Sequence, residues 1–178
     1  EGEALEALLA RLRQSVRGQM IADVPLGALL SGGVDSSLIA ALMAEAAPGG
    51  GGQVRTFTIG YDDPAYDESA QAQGVARHLG TLHTRLIARP QDALALVPRL
   101  AAISGEPIAD ASLLPTRLVA ELTRAQVTVC LSGDGGDELF AGYNRHAWGP
   151  ALWGRIGGLP LSLRKLAAAA LTSLSPAA

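Results

Sequence analysis

Apolar residues recur along this chain with two spacings, one typical of helices and one typical of strands. Leucines from Leu5 to Leu12, followed by Val16, fall on one face of a predicted helix over residues 3–19. Short apolar or alternating runs predict four strands, over residues 24–30, 54–60, 81–88 and 127–131. Further helices are predicted over residues 36–45, 68–79, 91–103 and 113–124. This alternation favours an α/β fold in which helices flank a parallel sheet.

The fourth predicted strand, Val127 to Leu131, is almost wholly apolar. Strands of this kind are usually buried on both faces of a parallel sheet. We therefore expect Cys130, which lies within this strand, to be a buried core thiol. Because it is the only cysteine in the chain, an internal disulfide and a CxxC metal site are excluded.

A Gly-rich turn joins the first strand to the next helix. Its residues are Ser31, Gly32, Gly33, Val34, Asp35, Ser36 and Ser37. The backbone N–H groups of such a turn and of the following helix N-terminus form an anion site, to which the serine hydroxyls add donors. A carboxylate beside a phosphate needs a cation between them, so Asp35 indicates a metal–nucleotide complex. The turn is not a P-loop, because no lysine follows its glycines.

A second Gly-rich turn follows the fourth strand at residues 132–138 and contains Asp134, Asp137 and Glu138. Ligands of parallel sheets bind at the carboxyl ends of strands, so both turns are expected to line one crevice. Asp137 would then add a second carboxylate to the metal that Asp35 begins to hold. Asp134 would face the reacting carboxylate or orient its nucleophile. The alternatives are an ordinary charged surface turn and, for Glu138, a favourable charge at a helix N-terminus.

Composition narrows the classes of function. The chain has 178 residues, a formal net charge of −3 and no basic run, so nucleic-acid binding has no electrostatic support. No signal peptide or membrane span is visible, and a cytoplasmic protein is expected.

His78 and His83 have poor spacing for a zinc pair, which favours a hydrogen-bonding role. Glycines at 49–52, after Pro48, predict a flexible linker.

Four motifs together resemble the synthetase domain of the glutamine-hydrolysing asparagine synthetases. They are SGGxDSS at residues 31–37, HLGTxH at 78–83, EPxADxS at 106–112 and LSGDGGDELFxGY at 131–143. The resemblance implies an ATP pyrophosphatase core over residues 20–148, a leading helix over 1–19 and a helical continuation over 149–178. It also implies an adenine nucleotide alpha hydrolase-like fold, which is a Rossmann-like three-layer arrangement.

The resemblance further implies which residues contact ATP. These are Leu30, Ser31, Gly32, Gly33, Asp35, Ser36, Ser37, Ile59, Ser132 and Gly133. Leu30 and Ile59 match positions whose backbone borders the adenine. Ser132 and Gly133 match the neighbours of the ribose and the α-phosphate.

The metal, catalytic and substrate residues follow from the same resemblance. Asp35 and Asp137 would hold Mg²⁺ on the pyrophosphate of ATP, and Asp134 would act in catalysis, at a position where many relatives carry Glu. Asp110 and Ser112 are candidates for binding the amino-acid substrate, although N-capping of the following helix explains one of them without any substrate.

The implied reaction has two half-steps. An aspartate β-carboxylate attacks the α-phosphorus of ATP and releases pyrophosphate, and ammonia from glutamine then displaces AMP to give asparagine. In the family, a glutaminase domain precedes the synthetase domain and would therefore come before Glu1. The family also uses a lysine well downstream of the second Gly-rich turn to stabilise the transition state, and Lys165 is too close to that turn to be this lysine. We therefore expect this chain to be a fragment that is inactive by itself. The sequence does not decide the oligomeric state, and a homodimer is one possible state.

Other functions stay open beside that one. A β-lactam-forming ligase or another amide ligase of the same superfamily is the nearest rival, and an ATP-binding module without turnover is the second. A generic flavodoxin-like or Rossmann binder is disfavoured, because the first turn lacks G-x-G-x-x-G and carries an acid.

Overall fold

Four parallel strands form one sheet in the computed structural model of the chain, which describes residues 2–48, 54–63, 67–106, 110 and 112–173. The strands are β1 Leu26–Leu29, β2 Arg55–Tyr61, β3 Leu82–Ala88 and β4 Val129–Leu131. Their order across the sheet is β3-β2-β1-β4. Ala28 of β1 lies opposite Thr56 of β2 and Leu131 of β4. The prediction of a parallel sheet is confirmed.

Contacts divide the chain into two units, Glu1–Asp134 and Gly135–Ala178. The first unit contains the sheet, with helices α1 Gly2–Gln19, α2 Val34–Ala46, α3 Ser69–Leu79, α4 Pro90–Leu96, α5 Leu100–Ser104 and α6 Leu113–Thr123. The second unit contains helices α7 Gly136–Phe140, α8 Asn144–Ile156 and α9 Leu161–Ser173. The domain boundaries expected after residues 19 and 148 stay predictions.

The helix predicted over residues 91–103 is interrupted. α4 is followed by a single 3-10 turn, Val97–Arg99, before α5 begins at Leu100. Pro98 lies within this turn and lacks the N–H group that a continuous α-helix would use. The predicted linker at 49–52 lies outside the described residues.

Apolar clusters hold the helices of the first unit on the sheet. Val16 of α1 and Met43 of α2 belong to a cluster that includes residues of β1 and β4. Leu30, directly after β1, belongs to a second cluster with alanines of α2 and α3, among them Ala72. Burying a side chain such as Leu30 or Met43 contributes about 1.5–3 kcal/mol. The second cluster places α2 and α3 against the end of β1, where the first Gly-rich turn begins.

The prediction that the fourth strand is buried on both faces is wrong. Among the strands of the described residues, β4 lies at the edge of the sheet, where it pairs with β1. Within β4, Val129 is 41% exposed and Leu131 is buried. Cys130 is half-buried, and burial raises the pKa of its thiol. A short apolar strand at a sheet edge cannot be distinguished by composition from one at the centre.

A buried polar cluster confirms the hydrogen-bonding role expected for His83. Thr56 of β2 is fully buried. Its Oγ1 lies 2.9 Å from Oγ1 of Thr81 and 3.0 Å from Nδ1 of His83. Burial lowers the pKa of His83, so the neutral ring is favoured.

The second unit is helical throughout much of its described part. None of the described residues of α8 is buried, and Trp148 and Trp153 are both more than half exposed. A turn between α7 and α8 places Ala141 in the left-handed region, with φ of 59°. In neither unit does a described helix combine the length and the hydropathy that a membrane crossing requires.

Candidate functional site

The first Gly-rich turn lies between the end of β1 and the start of α2, as predicted. Gly32 has φ of +87°, in the left-handed region that disfavours side chains. It also lies tightly against α3, because a Cβ at Gly32 would come within 2.7 Å of the backbone nitrogen of Ala72. Both the backbone conformation and the packing therefore require glycine at this position.

Hydrogen bonds among its serines close the turn. The hydroxyl of Ser36 accepts a bond from the backbone N–H of Ser31 at 3.2 Å and donates to the carbonyl of Gly33 at 3.3 Å. The hydroxyls of Ser31 and Ser36 lie 2.9 Å apart. Ser37 differs, since its buried Oγ has no hydrogen-bond partner among the described residues. Two of the three serines predicted as donors therefore stabilise the turn itself, and Ser37 retains a free hydroxyl.

The start of α2 offers backbone donors at the same place. Gly33 is the N-cap residue, and no side chain of the described residues caps the helix there. The first N–H groups of a helix lack intrahelical partners and carry partial positive charge. Asp35 lies in this first turn and is half-buried. The turn and the helix start together can bind an anion.

The second Gly-rich turn reaches the first turn through Gly133. A Cβ at Gly133 would lie 2.6 Å from the backbone nitrogen of Ser36 and 2.9 Å from the carbonyl carbon of Asp35. Asp134 is exposed, and its Oδ2 accepts a hydrogen bond from the hydroxyl of Ser132 at 3.0 Å. The two turns were expected to meet at the strand ends. This expectation is confirmed for Gly133, the residue of the second turn that contacts the first turn and lies in the first unit.

A cavity of about 270 Å³ lies beside the first turn. Leu30 and Ser31 line it from the end of β1, and Phe57 and Ile59 line it from β2. The two residues expected to border the adenine, Leu30 and Ile59, therefore share one cavity. Its mostly apolar lining suits a planar base.

Other residues of this cavity were missed by the sequence analysis. Pro115, Thr116 and Val119 line it from α6, and Glu68 lines it from the residue before α3. Pro115 and Val119 are four apart, which places them on one face of a helix. That spacing was a usable signal, but nothing in the local sequence indicated that α6 turns this face toward the end of β2.

The substrate candidates Asp110 and Ser112 lie before α6. Oδ1 of Asp110 accepts a hydrogen bond from the backbone N–H of Ser112 at 2.8 Å. This bond holds the pKa of Asp110 below its usual value. This bond closes a short turn before the helix and accounts for Asp110 without any substrate. The expected N-capping is not seen, because no side chain of the described residues caps α6. Substrate binding by either residue stays a prediction.

Asp137 and Glu138 lie in the second unit, in the first turn of α7. The hydroxyl of Tyr143 donates a hydrogen bond to Glu138, which lowers the pKa of that carboxyl. The guanidinium of Arg145 lies over the Tyr143 ring at 4.0 Å. A shared metal between Asp35 and Asp137 stays a prediction. Within the described ranges, no group of three acidic, histidine or cysteine side chains is placed to hold a metal.

Comparison with known proteins places this architecture in a family. Residues 7–177 match the asparagine synthase family. Over 144 residues the chain is 33% identical to the glutamine-hydrolysing asparagine synthetase 1 of Bacillus subtilis, covering 81% of this chain and 22% of that protein. Over 175 residues it is 33% identical to amidase chyE of Penicillium rubens, covering 85% of this chain and 26% of that protein.

A solved structure agrees in fold. The glutamine-dependent NAD⁺ synthetase of Acinetobacter baumannii, solved with ADP, superposes with a TM-score of 0.51 and 26% identity, over 74% of this chain and 26% of that one. The fold is adenine nucleotide alpha hydrolase-like. The chain belongs to the asparagine synthase family. It spans about a quarter of the length of the curated relatives it matches.

Proposed function

We propose that this chain is the nucleotide-binding part of a ligase that uses ATP to activate a carboxylate and then converts that carboxylate to an amide. The favoured product is asparagine, made from aspartate and from ammonia that a glutaminase domain releases. Membership of the asparagine synthase family supports the class of reaction. The ADP complex of the structural neighbour supports an adenine nucleotide as the ligand.

The observation that carries the proposal is the meeting of the two Gly-rich turns. Gly133 lies against the backbone of Asp35 and Ser36 at the start of α2, and the cavity bordered by Leu30 and Ile59 adjoins the first turn. A base in that cavity would direct its phosphates toward the first-turn N–H groups of α2. Gly133 would then lie near the α-phosphate, where adenylation takes place.

The first half-step forms one bond and breaks one. A carboxylate oxygen of aspartate attacks the α-phosphorus, and the bond from that phosphorus to the bridging oxygen breaks, so that pyrophosphate leaves with the electron pair. The unpaired backbone N–H groups in the first turn of α2 would hold the departing group. One such preorganised donor is worth about 10²–10³ in rate.

In the second half-step, the nitrogen of ammonia attacks the acyl carbon. The bond from that carbon to the AMP oxygen breaks, and one proton leaves the nitrogen. Asp134 is proposed to face the reacting carboxylate, because its side chain is exposed beside Ser132 and Gly133. The roles of positioning and charge stabilisation need no covalent change in the protein.

The carboxylate of Asp35, at the start of α2, is a suitable ligand for Mg²⁺ that arrives with the nucleotide. Mg²⁺ usually takes one or two carboxylates together with substrate phosphates, and Asp35 offers one carboxylate beside the proposed phosphate site. Asp137 is the proposed second ligand. Bound there, Mg²⁺ would offset the charge that develops on pyrophosphate.

Titration calorimetry tests the proposal on the chain itself. MgATP should bind, and EDTA or Asp35→Asn should weaken that binding. Asp92→Asn is the matched control, because Asp92 also lies in the first turn of a helix, α4, but does not line either turn. No binding of MgATP by the folded chain, or equal binding with EDTA, would contradict the proposal.

A second candidate is a ligase of the same class that takes another carboxylate. The similarity to amidase chyE favours keeping it, since that relative is not named for asparagine. Adding aspartate to the MgATP complex should release heat that glutamate does not. If a different carboxylate gives the larger heat, the second candidate replaces the first.

A further inference from the structure

An ion pair outside the predicted nucleotide contacts lies at the start of α3. Oδ2 of Asp67 is 2.9 Å from Nη2 of Arg85 on β3, and only 17% of the Asp67 side chain is exposed. The other carboxylate oxygen, Oδ1, accepts a hydrogen bond from the backbone N–H of Ser69 at 3.1 Å. One carboxylate thus connects β3 to the first turn of α3.

The pair lies directly on the backbone of β2. A Cβ at Gly60 would come within 2.7 Å of Nε of Arg85 and 3.1 Å of Oδ1 of Asp67. Because Gly60 has no side chain, both charged groups approach the sheet closely. Their position is therefore set by the backbones of β2 and β3, the two strands with the most extensive pairing in the sheet.

The same first turn of α3 supports the Gly-rich turn. Gly32 lies against Gln71 and Ala72, whose N–H groups both bond to the carbonyl of Glu68. Ala72 is fully buried beside Leu30. A shift in the first turn of α3 would therefore move the surface on which Gly32 is packed.

We propose that Asp67 and Arg85 are positioning residues that hold the first turn of α3 and, through Gln71 and Ala72, fix the conformation of the turn at residues 31–37. The ligand-binding consequence rests on the proposed function, in which this turn binds the pyrophosphate part of ATP. The effect on the turn itself does not depend on it. Neither Asp67 nor Arg85 is among the residues that line the cavity beside the turn.

Backbone hydrogen exchange on the chain without nucleotide tests the positioning directly. Asp67→Ala should speed exchange at Gly33 and Ser37, whose N–H groups bond within the turn, by roughly 2- to 30-fold. Glu45→Ala is the matched control, because Glu45 also forms a 2.9 Å ion pair, with Arg13, near the distant end of α2. Equal protection of the turn in Asp67→Ala and the control would overturn the proposal.

If Asp67→Ala fails to fold, milder substitutions still test the proposal. Asp67→Asn keeps an acceptor for the Ser69 N–H and loses only the charge, and Arg85→Lys keeps the cation. Asp67→Asn should show a smaller increase in exchange than Asp67→Ala, and Arg85→Lys a smaller increase than Arg85→Gln. If the conservative variants behave like the severe ones, a general loosening of the sheet explains the data and the proposal is wrong.

Binding of three ligands then separates an effect on the Gly-rich turn from a general loss of structure. In Asp67→Ala, the affinities for MgATP and for magnesium pyrophosphate should fall by similar factors, roughly 2- to 30-fold, while that for adenosine should stay unchanged. A parallel loss of adenosine binding would refute the link to the Gly-rich turn. If the unsubstituted chain binds none of the three, the proposed function fails, and the exchange data alone decide whether Asp67 positions the turn.

Discussion

Replacing Gly133 by alanine should strain the two Gly-rich turns of the first unit against each other. The added Cβ would lie 2.6 Å from the backbone nitrogen of Ser36 and 2.9 Å from the carbonyl carbon of Asp35, whereas ordinary contact begins at 3.4 Å. Both neighbouring atoms belong to the backbone of α2. No side-chain rotation can therefore relieve the overlap.

The size of the effect follows from the cost of overpacking, which is about 1–3 kcal/mol. In a chain of 178 residues, each kcal/mol lowers Tm by about 2–4 °C. We expect Gly133→Ala to lower Tm by about 2–12 °C. If the turns separate to avoid the strain, MgATP affinity should fall roughly tenfold instead, because the backbone donors move apart.

Thermal unfolding followed by circular dichroism, together with calorimetric titration of MgATP, measures both outcomes. Gly74→Ala is the matched control. Gly74 lies inside α3 with no atom within 4 Å of an added Cβ, so alanine there should raise stability by about 0.5–1 kcal/mol. A Gly133→Ala chain with unchanged Tm and unchanged MgATP affinity would refute the inferred contact between the turns.

Three further predictions address single side chains. Ser36→Ala should lower the free energy of unfolding by about 0.5–1.5 kcal/mol, because the N–H of Ser31 loses its acceptor. Ser37→Ala, which removes a hydroxyl without a partner in the described structure, should change the free energy of unfolding little, and urea titration compares the two variants. Burial lowers the pKa of His83 below 6.5, so the unfolded chain binds more protons and stability should decrease as the pH falls below 6.5. His83→Gln should make stability less dependent on pH in this range. If the dependence is unchanged, groups other than His83 cause it. Because burial raises the pKa of the Cys130 thiol, its alkylation should be slow at neutral pH and accelerate as the pH rises. Labelling at pH 7 as fast as that of a free thiol in solution would contradict its half-buried position.

Local sequence was sufficient for most elements of the first unit and for the position of the first Gly-rich turn. The apolar run before Ser31, the glycines at 32 and 33 and the helical pattern after them specify strand, turn and helix by short-range preferences alone. Ranges predicted for α3 and α6 agree with the structure within one or two residues. The break at Pro98 was not predicted, and proline alone does not specify one, because Pro150 lies inside the continuous helix α8.

Tertiary structure decided which of these pieces meet. The contact of Gly133 with Ser36, the face of α6 that closes the cavity and the support of Gly32 by α3 all join segments distant in sequence. The edge position of β4, which leaves Val129 exposed, depends on strand order and not on strand composition. Residue preferences act over a few neighbours, whereas these contacts arise from how whole strands and helices pack, so the sequence by itself determined the two turns and only the fold brought them together.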